Sequence, residues 1–168
     1  MSVKMQHEQV IERNPLDSVE DIFINYDWTY DRSGSDELVV QVAGEKSHYT
    51  MIFIWQEEFN AMQFSCLCDV VIPESRKAEA AQTLRKVNEE IWLGHFEITG
   101  KPEMPRFRYT MMCGSDRSQS IAEQISDLMD IAVAECERHY DVFSMIAMPV
   151  DINDEMLSLA LTMNMGKA

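Results

Sequence analysis

Two alternating runs, His48 to Gln56 and Ala61 to Val71, are separated only by Glu57-Glu-Phe-Asn60, and no other feature constrains the fold as tightly. A period of two places every second side chain on one face of a strand, and a four-residue break holding an Asn that tolerates left-handed backbone predicts a hairpin. With Glu57 to Asn60 as the loop, Trp55 lies opposite Met62, Phe53 opposite Phe64, Met51 opposite Cys66 and Tyr49 opposite Cys68. These eight side chains then share one face, which must be the core face, because a slip of one residue would turn all of them to water. The reverse face carries Ile52, Ile54, Ala61 and Leu67 among Gln56, Gln63, Ser65 and Asp69. A fully solvated face holds fewer aliphatics, so Ile52, Ile54 and Leu67 are candidate protein-interaction residues. Cover by the chain's own terminus is the alternative.

The flanking segments extend the sheet and supply its helices. Pro15 opens an amphipathic stretch to Asn25 with Leu16, Val19, Ile22 and Phe23 on one stripe and acids in its first turns, as a helix start favours. Tyr26 to Tyr30 suits a first strand, Ser33 to Asp36 a turn, and Leu38 to Ala43 a second strand closed by Gly44 to Ser47. A helix is expected from Pro73, burying Ala78, Ala81, Leu84, Val87, Ile91 and Trp92 and stopped by Gly94. His95 to Thr99 and Arg106 to Met112 read as strands joined by an irregular loop, with Phe96, Ile98, Phe107, Tyr109 and Met111 inward. Ser120 and Glu123 have capping-box spacing ahead of the longest helix, with Ile121, Ile125, Leu128, Ala132, Cys136, Tyr140 and Phe143 as its buried stripe and Pro149 as its end. A short helix follows Asp151 and Asn153, carrying Met156, Leu157, Ala160 and Leu161. Residues 1–14 are polar and expected to fray, leaving 15–168 as one domain.

Charge and cysteines narrow the class of function. The 168 residues carry 14 Lys plus Arg against 29 Asp plus Glu, a net charge of −15, which repels phosphate backbones and anionic lipids. Neither a nucleic acid nor a membrane is therefore an expected partner. The N-terminus lacks an apolar signal core and no run approaches a membrane span, so the expected compartment is the cytoplasm. There Cys66, Cys68, Cys113 and Cys136 are expected as thiols buried like small apolar side chains. Cys66 and Cys68 point to one face of a strand, and a thiol or metal sensor built on them, with Cys113 or His95, is the alternative function.

A search for catalytic chemistry returns little. The glycines are scattered, no nucleophile elbow or His-Glu-x-x-His occurs, and His7, His48, His95 and His139 are spaced like surface or capping residues. Glu57-Glu58, Glu89-Glu90 and Asp127 with Asp130 fall on turns and polar helix faces, where they remain solvated charges. No catalytic residue, cofactor or metal ligand is assigned, and an enzyme is disfavoured.

The stretches Asp27 to Asp31, Val87 to Phe96, Pro105 to Tyr109 and Ala134 to Tyr140 resemble the YbjN-domain family over about Leu16 to Phe143, most specifically in Asn88-x-x-x-Trp92-Leu-Gly-His-Phe96. The resemblance implies an α+β fold similar to type III secretion chaperones, an antiparallel sheet of about five to six strands with helices packed on one face. It also implies a non-enzymatic role as a bacterial sensory transduction regulator, and no catalytic residues come with it. In this reading Trp28 and Tyr30 pack the first strand on the core, Trp92 and Phe96 bracket a helix end at Gly94, and Asn88 hydrogen-bonds a neighbouring backbone. The expected partner is another protein, with a homodimer as one form of that contact.

Overall fold

The computed structural model of the chain describes residues 14–114, 120–148 and 154–165. The frayed terminus expected before Asn14, His7 and Pro149 lie outside them. Six strands form one antiparallel sheet: β1 (Tyr30–Ser33), β2 (Glu37–Ala43), β3 (His48–Gln56), β4 (Ala61–Cys68), β5 (His95–Thr99) and β6 (Met104–Met112). Their order is β1-β2-β3-β4-β6-β5, so β1 and β5 are the two edges. The β3–β4 register is the one the alternation predicts, with Trp55 against Met62, Phe53 against Phe64, Met51 against Cys66 and Tyr49 against Cys68. Asn60 takes the left-handed backbone that closes the turn, φ 47°.

The helices are α1 (Pro15–Asn25), α2 (Lys77–Glu90), α3 (Ile121–Ala147) and α4 (Asp154–Met165). They gather on the core side: α1 packs on β3, α3 crosses β4 and β6, α2 leans on β5, and α4 rests on α3. The shared core runs from Leu16, Val19 and Phe23 through Phe53, Phe64 and Phe107 to Ile125, Phe143 and Ile146. Caps support the helix starts. The Asn14 carboxamide accepts from the Leu16 amide at 2.9 Å and donates to the Ser35 carbonyl at 2.6 Å. The Ser120 hydroxyl accepts from the Glu123 amide at 3.2 Å, the cap its spacing predicts.

Several boundaries depart from the sequence reading. Asn14 is an ordered cap rather than part of a frayed end. The first strand begins at Tyr30 instead of Tyr26, because Asp27 at φ 55° turns the chain out of α1. Trp28 and Tyr30 still pack on the core, each ring 5.8 Å from Phe23. The strand after Asn60 stops at Cys68. A 3₁₀ turn, Glu74–Arg76, precedes α2, which rotates the helix so that Ala80, Thr83 and Val87 are buried, whereas Ala78 and Ala81 are exposed. α2 also ends early, at Glu90, and Trp92 is 74% exposed rather than buried. The loop from Gly100 to Glu103 is short enough for Thr99 to pair with Met104, so β5 and β6 form a four-residue hairpin.

Candidate protein-interaction surface

Because the described helices gather on one side, the other side of the sheet is built, among the described residues, from strand side chains. Ile52, Ile54 and Leu67 lie together on that reverse face, all half-buried. Register explains the grouping. Ile52 is flanked by Val39 of β2 and Ser65 of β4, Ile54 by Glu37 and Gln63, and Leu67 by Thr50 and Arg106. Cross-strand neighbours of this kind sit about 5 Å apart and shield one another, so four aliphatics form one patch. Val39 was missed from sequence, although its place one position out of phase with the buried Leu38 and Val40 was the available signal. Ala61, expected on the same face, is buried, while its neighbour Met112 is exposed.

Toward β5 the same face turns ionic. Glu97 accepts from Arg108 at 3.3 Å and lies 4.0 Å from the Arg106 guanidinium, and Arg108 also donates to the Gln63 side chain at 3.2 Å. Gln63 in turn donates to Gln56 at 3.1 Å. The face therefore presents an aliphatic half over β2 to β4 and a polar half over β6 and β5.

The expectation of buried thiols holds for Cys66, Cys68 and Cys136, while Cys113 is half-exposed, and Cys66 meets Cys136, which the alternative site on Cys66 and Cys68 with Cys113 or His95 did not include. Cys66, Cys68 and Cys136 are fully buried, and the Cys66 and Cys136 sulfurs lie 3.7 Å apart between β4 and α3. Interaction with the two strand sulfurs, and then burial, hold the Cys136 thiol well above the ordinary thiol range. Such thiols react slowly, because the thiolate is the reactive form. Among the described residues no group of three or more His, Cys, Asp or Glu has the arrangement to hold a metal ion.

His139 is the clearest departure among the histidines. It was expected at the surface or as a cap, but it is fully buried on α3, its ring 5.5 Å from Phe96. Its Nδ1 lies 3.0 Å from the Glu135 backbone carbonyl and 3.6 Å from the Glu135 carboxylate, while Nε2 has no partner among the described residues. Burial pushes the imidazole pKa down and the Glu135 carboxyl pKa up, each toward its neutral form. His48 and His95 are exposed, as expected.

Asn88 shows what the most specific motif does. Its carboxamide accepts from the Phe96 amide at 2.7 Å and donates to the Phe96 carbonyl at 2.9 Å. A side chain thus takes the place of a neighbouring strand on the open edge of β5 and ties α2 to the sheet. Gly94, between the two, sits at φ 68°, and a Cβ there would lie 2.6 Å from the Phe107 ring. The motif is a joint between helix and edge strand.

These features define an α+β protein whose one antiparallel sheet is packed on one side by all four described helices. The chain belongs to the YbjN family: the model for that family, described as "Putative bacterial sensory transduction regulator", matches residues 15–145. A solved structure, "Crystal structure of YbjN, a putative transcription regulator from E. coli", is similar to 79% of this chain and 87% of that chain at 11% identity and a TM-score of 0.48. No curated protein matches the chain. Among the described residues no helix is long and apolar enough to cross a membrane.

Proposed function

We propose that this chain is a non-enzymatic regulatory module that acts by binding protein through the reverse face of its sheet, with a second copy of itself as one partner. The observation that carries the reading is the cross-strand patch of Val39, Ile52, Ile54 and Leu67 on a face that no described helix packs against. Six strands at about 4.8 Å spacing and about seven residues at about 3.3 Å give a face on the order of 600 Å². Specific contacts use about 800 Å² per partner, so the face and its rim are of the right order for a modest, reversible association. The regulatory part of the reading rests on the family's description. The net charge of −15 and a cytoplasmic setting agree with a protein partner rather than nucleic acid or lipid.

The test is the double substitution Ile52→Glu with Leu67→Glu. Placing carboxylates on the aliphatic half should abolish dimerisation and partner capture, read by sedimentation and by crosslinking in native extract, while circular dichroism stays unchanged. A folded variant with wild-type mass and wild-type crosslinks would refute the assignment of this face.

A further inference from the structure

The ladder lines up Asp31, Val39, Ile52, Ser65 and Arg108 as one row across β1, β2, β3, β4 and β6. Residues directly opposite each other in a ladder point to the same face, so the whole row lies on the reverse face. The aliphatic patch is centred on β3. Ile52 and Ile54 belong to that strand, Val39 lies one strand to one side and Leu67 one strand to the other. At about 4.8 Å per strand, Asp31 and Arg108 flank that centre at about 10 Å on either side.

Among the paired residues of this face, charge divides about the same line. On the β1 and β2 side Asp31 is exposed and Glu37 half-buried, and neither carboxylate has an ion-pair partner among the described residues. On the far side Arg106 and Arg108 share the one carboxylate of Glu97, and the Arg106 Nε is buried without a hydrogen-bond partner among the described residues. One flank is net negative and the other net positive. Two copies packed face to face are related by a two-fold axis lying between them, and aligned sheets keep their strands within about 30° of each other. An axis across the strands stacks β1 over β1 and β6 over β6, so acid meets acid and base meets base. An axis along β3 stacks β1 over β6, and Ile52 and Ile54 then face their own copies.

We propose that the reverse face closes on a second copy of this chain about a two-fold axis along β3, with Asp31 of each protomer against Arg108 of the other. The proposal rests on the reverse-face reading and adds the partner and its orientation. The Arg108 guanidinium already donates to Glu97 and Gln63, but it carries five N–H donors, which leaves others for a carboxylate arriving from outside. The stacked aliphatics supply the association, and the two reciprocal ion pairs fix its orientation. Such a contact is isologous and closes at two copies.

The test makes Asp31→Lys and Arg108→Glu as separate full-length chains and follows each by sedimentation and circular dichroism. The wild-type chain should dimerise reversibly. Each variant alone should dimerise at least tenfold more weakly, because it sets like charges together on both flanks. An equimolar mixture of the two should regain wild-type association within about threefold, since the mixed dimer holds one native pair and one reversed pair. Should Arg108→Glu unfold beside Glu97, Arg108→Gln takes its place, and combined with Asp31→Lys in one chain it should restore association at least threefold over Asp31→Lys alone. The proposal is overturned by a monomeric wild-type chain, by single variants that associate as the wild type does, or by a mixture or combined variant no more dimeric than Asp31→Lys. Ile52→Glu with Leu67→Glu separates the two readings. If the wild type is monomeric but this variant loses its crosslinks in native extract, the face takes a different protein and only the second-copy proposal falls; if it leaves both a wild-type dimer and the crosslinks intact, both readings fall.

Discussion

Asn88→Ala should destabilise the protein well beyond what a half-exposed helix position ordinarily costs. The substitution removes two hydrogen bonds, 2.7 and 2.9 Å, to the amide and carbonyl of Phe96. Each is worth about 1 kcal/mol net, and more where the abandoned backbone group cannot reach water. Phe96 is buried against Phe107, Phe143 and His139, so its backbone is poorly placed to find solvent. The combined cost is about 2–3 kcal/mol. In a chain of this size each kcal/mol moves the melting temperature by about 2–4 °C, so a fall of roughly 5–10 °C is expected. Urea denaturation should show a lower midpoint with an unchanged slope. Amide exchange adds a local readout, in which Phe96 N–H loses protection far more than the β3 and β4 amides. Asn88→Asp keeps the acceptor and loses the donor, so its deficit relative to the wild type should shrink as pH falls and the carboxyl regains a proton to donate. A loss below about 0.5 kcal/mol for Asn88→Ala, the ordinary range for a surface change, would refute the joint between α2 and β5.

Three other outcomes concern His139, the cysteines and Gly94. His139 has its pKa lowered by burial, opposed by its bond to the Glu135 carbonyl and aided by Arg138. Above about pH 6.5 it is neutral in both states and contributes nothing; as pH falls below that, the unfolded chain takes up the proton first and stability declines by at most about 1.4 kcal/mol per pH unit. His139→Phe should therefore gain on the wild type between pH 6.5 and 5.5, in a wild-type and a Glu135→Gln background, and parallel pH curves in urea melts would contradict this. The thiols of Cys66, Cys68 and Cys136 should label slowly with a thiol reagent until denaturant is added, whereas Cys113, half-exposed, labels first; a fast buried thiol would revive the sensor reading. Gly94→Ala combines left-handed backbone with a Cβ 2.6 Å from Phe107 and 2.7 Å from the Arg108 carbonyl, and should cost about 2–4 kcal/mol in a thermal melt.

The parts legible in the sequence share one physical property: they depend on short-range periodicity. The β3–β4 register, the left-handed Asn60, the Ser120 cap of α3 and the inward residues of β5 and β6 all follow from alternation or from a cap within three residues of a helix start. So does the grouping of Ile52, Ile54 and Leu67, since residues on facing strands of a hairpin are fixed once its loop is known. α2 was less legible because Ala-rich stretches offer two plausible stripes, and its rotation was set by the 3₁₀ turn before it and by where Asn88 had to reach.

Sequence by itself determined that this is an acidic α+β chain with a two-sided hairpin at its centre, because charge and period-two patterning are local properties. Only the tertiary structure decided which elements cover which face. The placement of Cys136 over Cys66, the burial of His139 and the closing of the β5 edge by Asn88 each join residues distant in the chain. Such contacts depend on how helices are angled across a sheet, and no local period encodes that angle. The two-sided sheet is the result: the hairpin supplies the aliphatics of its reverse face, and all four described helices pack on the other side.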